Sequence, residues 1–262
     1  MRITALVENQ SEGELKPKHG LSLHIETSKH NILFDLGPDG TLFENAKIRQ
    51  IDLTRIDTVI ISHGHGDHGG ALEEFIEVNK TAKIYIQRKA FEKHYAKLLF
   101  FKVNIGINPN LVNNPQIVLI DGDYQIDDEL ALFTVKDTSK CYSKANDTLY
   151  TEHAKDDFSH EQNLMIYDNT NTLIMGCGHA GIINILEKAT KYQPKVCFGG
   201  YHLYNPLNKK TVSDTALDEI AQEMAKYDIM FYTYHCTGQK AYQYLSKHLN
   251  IHYLSCGQMI EI

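Results

Sequence analysis

The chain has 262 residues, of which 42% are hydrophobic and 23% are charged, as in ordinary globular proteins. This composition excludes a disordered chain, a collagen-like chain and a short disulfide scaffold. The formal net charge of −7 excludes a basic nucleic-acid footprint at the level of the whole chain. Histidine is frequent, with 14 residues, and it is a common metal ligand and proton carrier.

The sequence contains no stretch of about 20 apolar residues, so no transmembrane helix is predicted. The apolar run at the N-terminus is interrupted by Glu8 and is shorter than a signal peptide. Five cysteines without a C-x-x-C pair fit a reducing compartment, and a cytoplasmic location is expected. The chain has no internal repeat and no linker, so a single domain over residues 1–262 is predicted.

The first third of the chain consists of predicted strands separated by turns. Apolar or alternating segments predict strands at 3–7, 21–26, 31–35 and 58–62. The last of these strands is rich in β-branched residues and ends directly at His63. Beyond Gly70 the spacing of apolar residues becomes helical.

The pattern of predicted strands and helices is weak in the middle of the chain and regular in the last third. In the middle, the predicted elements are strands at 83–87, 117–121 and 130–135, a helix over 88–100 and a loop over 102–115. Residues 137–160 are polar and irregular, which is typical of a flap over a site. In the last third, strands at 164–167, 172–175, 196–198 and 229–233 alternate with helices over 182–189, 214–226 and 239–248. This alternation predicts a layered α/β protein.

Four metal-ligand side chains follow the predicted strand 58–62 within six positions: His63, His65, Asp67 and His68. His63 and His65 are two positions apart, so they point the same way on an extended segment. The intervening glycines allow a tight turn, so nitrogen and oxygen atoms from one loop can converge. Such ligands suit zinc, and also iron or manganese because a carboxylate is present. A solvated His-rich loop is the alternative, but it is a poor fit to the end of an apolar strand.

The pattern H-x-H-x-D-H after a buried strand resembles the metallo-β-lactamase superfamily, which divides these ligands between two metal positions. Other segments resemble one branch of it, the dihydropterin-methyl-ribofuranosylaminobenzene-phosphate synthase-like proteins. These segments are HGLS at 19–22, NA at 45–46, EQNL at 161–164, GCGHAGI at 176–182, GGYHL at 199–203 and HCTG at 235–238. The resemblance covers almost the whole chain. It implies a four-layer αβ/βα sandwich with the metal site at one edge between two central sheets.

The resemblance also implies the remaining metal ligands. His179 and His235 each lie between a predicted strand and a predicted helix, where superfamily ligands occur, and we expect them to complete the set. Asp35 matches the aspartate that supports the metal site without binding the ion, although its position alone would indicate a turn residue. His153 and His160 in the predicted flap are expected to be solvated rather than functional. The remaining histidines are expected to be structural or at the surface: His19, His24, His30, His94, His248 and His252.

Two positions keep more than one interpretation. Many superfamily members place a bridging Asp, or a Cys, on a strand end between the last two histidine ligands, and here that strand leads to His202. His202 either approaches this position, contacts the substrate or is a turn residue. Cys177 is a candidate thiolate ligand, but a small buried residue in a tight turn is the favoured interpretation, and Cys236 is expected to pack.

The expected activity is that of a metal-dependent hydrolase in which a metal-activated water attacks an ester, lactone or phosphoester. Asp67 and His202 are the candidate catalytic residues, and two zinc ions are expected, with manganese or iron as alternatives. The branch implies a different activity, condensation of a pterin diphosphate with an arylamine, and a non-catalytic metal or ligand sensor is a third interpretation. A small-molecule substrate is expected, without nucleic-acid or membrane partners. The chain departs from the branch pattern at Gly66, Gly69, Gly178 and Tyr201, which alters the pocket and leaves the substrate open.

Overall fold

Two mixed β-sheets face each other, and helices cover the outer face of each. The structure is a computed structural model that describes residues 1–98 and 100–262. The strands are β1 (Arg2–Val7), β2 (Ser22–Glu26), β3 (Asn31–Phe34), β4 (Thr58–Ile60), β5 (Lys83–Gln87), β6 (His94–Leu98), β7 (Phe101–Asn104), β8 (Ile117–Ile120), β9 (Tyr124–Gln125), β10 (Leu130–Phe133), β11 (Leu149–Thr151), β12 (Asn163–Tyr167), β13 (Asn171–Ile174), β14 (Val196–Gly199), β15 (Tyr204–Asn205), β16 (Lys210–Thr211), β17 (Met230–Thr233), β18 (Ile251–Tyr253) and β19 (Met259–Glu261). The helices are α1 (Thr41–Ile48), α2 (Gly66–Gly69), α3 (Leu72–Val78), α4 (Ile182–Ala189), α5 (Asp214–Met224) and α6 (Gln239–Leu245).

The two large sheets have related strand orders. The first sheet is ordered β19-β1-β2-β3-β4-β5-β8 and the second β18-β17-β14-β13-β12-β10-β9. The strands β3, β4, β5 and β8 run parallel in the first sheet, as do β13, β14, β17 and β18 in the second. The carboxyl ends of parallel strands share one edge of a sheet, and this is where open α/β sheets bind ligands. The loops after β4, β13, β14 and β17 therefore gather at such an edge.

Three apolar clusters hold four layers together. Side chains of β1 to β5 meet those of β10, β12, β13 and β14 in the core between the sheets. The outer face of the first sheet packs against α1 and α3, and that of the second packs against α4, α5 and α6. This arrangement confirms the predicted α/β class and its four-layer αβ/βα sandwich.

Burial on both faces explains why the central strands were recognisable from the sequence. Every residue of β4 is buried, and a strand covered on both sides reads as a continuous apolar run.

Helix α5 begins after Ser213, whose side chain accepts a hydrogen bond from the backbone N–H of Ala216 and so satisfies a free helix-end donor. Among the described residues, no helix combines the length and the hydropathy needed to span a membrane.

Two predictions for the middle of the chain differ from the structure. The helix predicted over 88–100 is wrong, because only Arg88–Phe91 forms a 3-10 turn and β6 follows it. Position 99 lies outside the described residues. The loop predicted over 102–115 is partly wrong, since β7 occupies its start and pairs with β6, which also pairs with β11 from the predicted flap. A short apolar segment does not distinguish strand from helix by its period, and this small sheet forms through distant pairing.

Candidate metal centre

Three loops bring the predicted ligands together at the shared sheet edge. His63, His65, Asp67 and His68 lie between β4 and the end of α2, His179 follows β13, and His235 follows β17. All five histidines are buried, with at most 5% of their surface exposed. The side chains form two adjacent donor sets, which we call the first and second sets.

The first set consists of His63, His65 and His179. Each contributes a ring nitrogen, and these nitrogens all lie within 4.8 Å of one another. The Nε2 atoms of all three rings are buried and have no hydrogen-bond partner among the described residues. Buried polar atoms are nearly always paired, because an unpaired one costs about 1–3 kcal/mol. Three such nitrogens facing one another are therefore what a metal site requires.

The second set consists of Asp67, His68 and His235. The Nε2 atoms of His68 and His235 are 3.3 Å apart, and Asp67 Oδ2 lies 3.2 Å from His235 Nε2 and 3.7 Å from His68 Nε2. The side chain of Asp67 is about a quarter exposed, and Asp67 and His235 both line the cavity described below. A carboxylate and two imidazoles at this spacing are suitable ligands for a divalent metal ion.

Asp35 orients two of the histidine rings, one directly and one through Ser62. Its carboxylate accepts a hydrogen bond from His68 Nδ1 at 2.7 Å and two more from the Ser62 backbone N–H and hydroxyl, both at 2.7 Å. The Ser62 hydroxyl oxygen in turn accepts from His63 Nδ1 at 2.8 Å. Both rings thus carry their proton on Nδ1, which leaves the Nε2 lone pair free for a metal.

Two asparagines accept hydrogen bonds from two of the other three ligand rings, and the sequence analysis missed both. Asn146 Oδ1 accepts from His179 Nδ1, and Asn9 Oδ1 accepts from His235 Nδ1, each at 2.9 Å. Asn146 belongs to the segment predicted as a flap, and polar residues there were the only signal for it. Asn9 lies 226 positions from His235, and nothing in its local sequence indicates the contact.

A second group of hydrogen-bonded histidines packs against residues 63–68, which we call the metal loop. This group corrects the prediction for His160. His160 is buried rather than solvated, and its Nδ1 accepts a hydrogen bond from the Gly64 backbone N–H at 2.9 Å. Its Nε2 faces Asp156 Oδ2 at 3.2 Å, and His94 Nδ1 faces the same oxygen at 3.0 Å. Because Nδ1 of His160 is an acceptor here, the ring holds its proton on Nε2 and is unsuited to binding a metal through that atom. His153, by contrast, is exposed as predicted.

His19 is a further site residue for which the sequence gave only a branch motif. Its Nε2 lies 3.4 Å from Asp67 Oδ2, and its ring centre is 4.8 Å from that of His235. Burial and the neighbouring His235 lower the pKa of His19 to about 4, despite the attraction of Asp67. His19 is therefore a neutral imidazole beside the second set.

His202 lies beside the first set and lines the cavity. Its ring centre is 4.3 Å from that of His179, and its Nδ1 is buried and lacks a partner among the described residues. The backbone φ of His202 is +43°, which is uncommon for a residue other than glycine. Its carbonyl accepts a 2.5 Å hydrogen bond from the Ser143 hydroxyl, and burial lowers its pKa to about 3. The structure thus holds a neutral His202 ring against the cavity.

The charge states of the first donor set match what a metal site needs. Burial, together with the mutual repulsion of the rings, lowers the pKa of His63, His65 and His179 well below the usual value. These three rings are therefore neutral, which is the metal-binding form of imidazole. Burial opposes ionisation of Asp67, but the neighbouring histidines outweigh it and hold its pKa well below its usual value. Burial also opposes the charge on His235, but the Asp67 hydrogen bond raises its pKa to about 9.

The two donor sets open into a cavity of about 630 Å³. Its walls include Asp67 and His202, and several apolar side chains complete it: Pro38, Ala96, Ile105, Leu149, Pro206 and Leu207. Among the described residues that line the cavity, none is lysine or arginine. This volume accommodates a small molecule, and the polar groups concentrate at the donor sets.

Comparison with known proteins agrees with this geometry. A family model described as the metallo-β-lactamase superfamily matches residues 15–139. Two curated proteins of Methanocaldococcus jannaschii are similar. One is an uncharacterized protein that is 29% identical over 99% of this chain and 100% of its own length. The other, a 7,8-dihydropterin-6-methyl-4-(β-D-ribofuranosyl)-aminobenzene-5′-phosphate synthase, is 28% identical over 86% of this chain and 82% of its own length.

A solved structure extends the agreement to the whole fold. It is described as a metal-dependent hydrolase of the β-lactamase superfamily, is 25% identical, and superposes with a TM-score of 0.82 over 100% of this chain and 99% of the other. The similarity to the dihydropterin synthase of M. jannaschii confirms the resemblance to that branch. The family model over residues 15–139, the fold and the clustered His and Asp ligands lead to one conclusion: the chain has the metallo-β-lactamase fold and is similar to that superfamily.

Proposed function

We propose that this protein is a metal-dependent hydrolase that binds two metal ions and cleaves an uncharged ester or lactone. Zinc is the expected metal. The observation that carries the proposal is the pair of adjoining donor sets at the floor of one cavity. A metal ion bound there lowers the pKa of a coordinated water and polarises a carbonyl oxygen. The chain itself supplies the ligands, the orientation of the rings and a carboxylate at the reacting face.

Asp67 is the residue to which we assign proton transfer. Its carboxylate is ionised and partly exposed to the cavity, so it can accept a proton from an attacking water. His19 lies 3.4 Å from this carboxylate and is neutral, so it can take the proton onward towards solvent. We assign His202 to contact with the substrate, since its ring lines the cavity beside the first set.

The chemistry of the cavity wall supports an uncharged substrate over a phosphoester. Proteins usually recognise a phosphate group with arginine or lysine, and the described residues of this wall include neither. The apolar residues Pro38, Ala96, Ile105 and Leu149 provide a surface for the non-reacting part of an acyl substrate. The fit therefore favours the ester or lactone among the substrates that the sequence suggested.

A condensing synthase is the second candidate function, and one observation favours it. The relative from M. jannaschii that is 28% identical over most of this chain carries the name of a dihydropterin-linked synthase. The reaction that the branch resemblance implies joins a pterin diphosphate to an arylamine and releases diphosphate. The wall without lysine or arginine argues against it, because the released diphosphate would depend on the metal centre alone for neutralisation.

The test is metal-dependent turnover with matched histidine variants. Metal-loaded protein is assayed with aryl esters, lactones, an aryl phosphodiester, and a dihydropterin diphosphate plus an arylamine. We expect ester or lactone cleavage that is lost with a chelator and restored by zinc. His65→Ala should abolish it, whereas His153→Ala, at an exposed position, should leave it intact. Turnover of the pterin substrate alone would establish the synthase, and a metal-loaded protein without any turnover would favour a sensor.

A further inference from the structure

A fourth potential ligand, the thiol of Cys177, lies beside the second donor set. Cys177 is buried at the turn after β13, and its Sγ lies 3.2 Å from His68 Nε2. The same sulfur is within 4.8 Å of a ring nitrogen of His235 and of one of His63. Cys177 therefore lies where the first and second sets adjoin.

We infer that the Cys177 thiolate is the fourth ligand of the metal ion held by Asp67, His68 and His235. The inference rests on the metal centre of the proposed function and deepens it. The strand between the His179 and His235 loops is β14, which ends at Gly199 and so offers no anionic ligand at its end. In this chain we assign the anionic ligand to Cys177, which follows β13, the strand before β14.

Four of the six distances between the four donors fit tetrahedral coordination, and a fifth, from Cys177 Sγ to a ring nitrogen of His235, is below 4.8 Å. Metal–ligand bonds of about 2.0–2.3 Å in a tetrahedron place the ligand atoms roughly 3.3–3.8 Å apart. The separations from His68 Nε2 are 3.2 Å to Cys177 Sγ, 3.3 Å to His235 Nε2 and 3.7 Å to Asp67 Oδ2. Asp67 and His235 are 3.2 Å apart. One ion can therefore contact all four atoms with small adjustments.

The hydrogen bonds around His68 leave its Nε2 available to a metal. Asp35 accepts the Nδ1 proton of His68, so Nε2 carries a lone pair. In the metal-free protein the Cys177 thiol can donate its proton to that lone pair. When a metal ion binds, this proton leaves to solvent, and both atoms become ligands.

The backbone around Cys177 fixes the thiol in this position. A Cβ at Gly176 would lie 2.2 Å from Ser62 Oγ and 3.3 Å from His63 Nδ1, so only glycine permits the end of β13 to approach the metal loop. Gly178 has a φ of +60°, and a Cβ there would lie 2.7 Å from the Gly200 carbonyl oxygen. Two glycines thus hold the intervening cysteine against His68.

Cys236, the neighbouring thiol, is occupied by the backbone. Its sulfur accepts a hydrogen bond from the His202 N–H at 3.3 Å and donates one to the Cys177 carbonyl at 3.5 Å. This role fits the packing interpretation of Cys236. Cys197 on β14 is fully buried in the apolar core and belongs to no donor set among the described residues, which makes it a matched control.

The experiment is the absorption spectrum of the cobalt(II)-substituted protein. The wild type and Cys197→Ala should show an intense thiolate-to-cobalt band in the near ultraviolet. Cys177→Ala should lose this band and bind its second equivalent of cobalt at least ~100-fold more weakly, since even supporting residues contribute 10–100-fold to metal affinity. A cobalt-loaded wild type without the band would overturn the inference, and so would a band that persists in Cys177→Ala.

A second measurement does not depend on how the variant folds. X-ray absorption at the zinc edge of the wild type should show a sulfur neighbour, and a shell of nitrogen and oxygen only would overturn the inference. Neither readout involves turnover. An inactive protein with a thiolate band would refute the proposed hydrolase while supporting Cys177 as a ligand, so the two failures are distinguishable.

Discussion

The backbone N–H of Gly64 donates a 2.9 Å hydrogen bond to Nδ1 of His160, 96 positions further along the chain. Gly64 separates two ligands of the first set, so this bond fixes the metal loop from behind. A Cβ at Gly64 would lie 2.5 Å from the Ala90 carbonyl oxygen and 2.7 Å from His94 Nε2. The loop is therefore held by the close packing of its backbone as well as by the imidazole.

Two replacements of His160 distinguish the loss of the hydrogen-bond acceptor from the loss of the imidazole ring. His160→Leu leaves the Gly64 N–H buried and unpaired, at a cost of about 1–3 kcal/mol in the free energy of unfolding. We also expect metal affinity at the first set to fall ~10–100-fold, as for other supporting residues. His160→Asn supplies an amide oxygen near the position of Nδ1 and should retain most of both. Thermal unfolding and metal competition measure the two effects, and equal losses in both variants would contradict this role.

Asp35→Asn tests the carboxylate without disturbing the backbone. Asp35 has a φ of +60°, which asparagine tolerates as well as aspartate does. The amide cannot accept all three hydrogen bonds from His68 and Ser62, so the His68 ring loses its fixed tautomer. We expect metal affinity at the second set to fall ~10–100-fold, with a smaller change at the first set. Unchanged affinity of both equivalents would show that Asp35 has no part in orienting His68.

Metal affinity of the second set should depend on pH through His235. In the metal-free protein its pKa is raised to about 9, chiefly by the Asp67 hydrogen bond acting against burial, so the ring is protonated at neutral pH. A metal ion must displace that proton, and affinity therefore rises as the pH rises towards 9. Each released proton changes the affinity about tenfold per pH unit. Calorimetric titration in buffers of different ionisation heat counts the protons, and binding without proton release would refute this account.

Gly176→Ala tests whether the end of β13 must touch the metal loop. The added methyl group would lie 2.2 Å from Ser62 Oγ, and such overpacking costs about 1–3 kcal/mol in stability. It should also displace Cys177 from His68 and weaken the thiolate band of the cobalt protein. Gly13→Ala is the matched control, because no atom of the described residues lies within 4 Å of a Cβ there. A Gly176→Ala protein with wild-type stability and spectrum would contradict the contact.

Local spacing and strand context predicted the metal loop, because His63, His65, Asp67 and His68 are close in sequence and follow a strand buried on both faces. The supporting residues were largely beyond such reasoning. Asn9, Asn146 and His160 reach their partners from distant segments, and their roles arise only when the two sheets pack together. The strands β6 and β7 were missed for the same reason, since distant pairing rather than local pattern defines them.

The metal content of the protein tests the central claim most directly. Elemental analysis is made on the wild type, His65→Ala and His153→Ala, each purified without added metal and again after reconstitution. The two donor sets predict two equivalents in the wild type and in His153→Ala, and a sharp loss from the first set in His65→Ala. A wild type that binds no metal after reconstitution, or a His65→Ala protein that keeps both equivalents, would contradict the account.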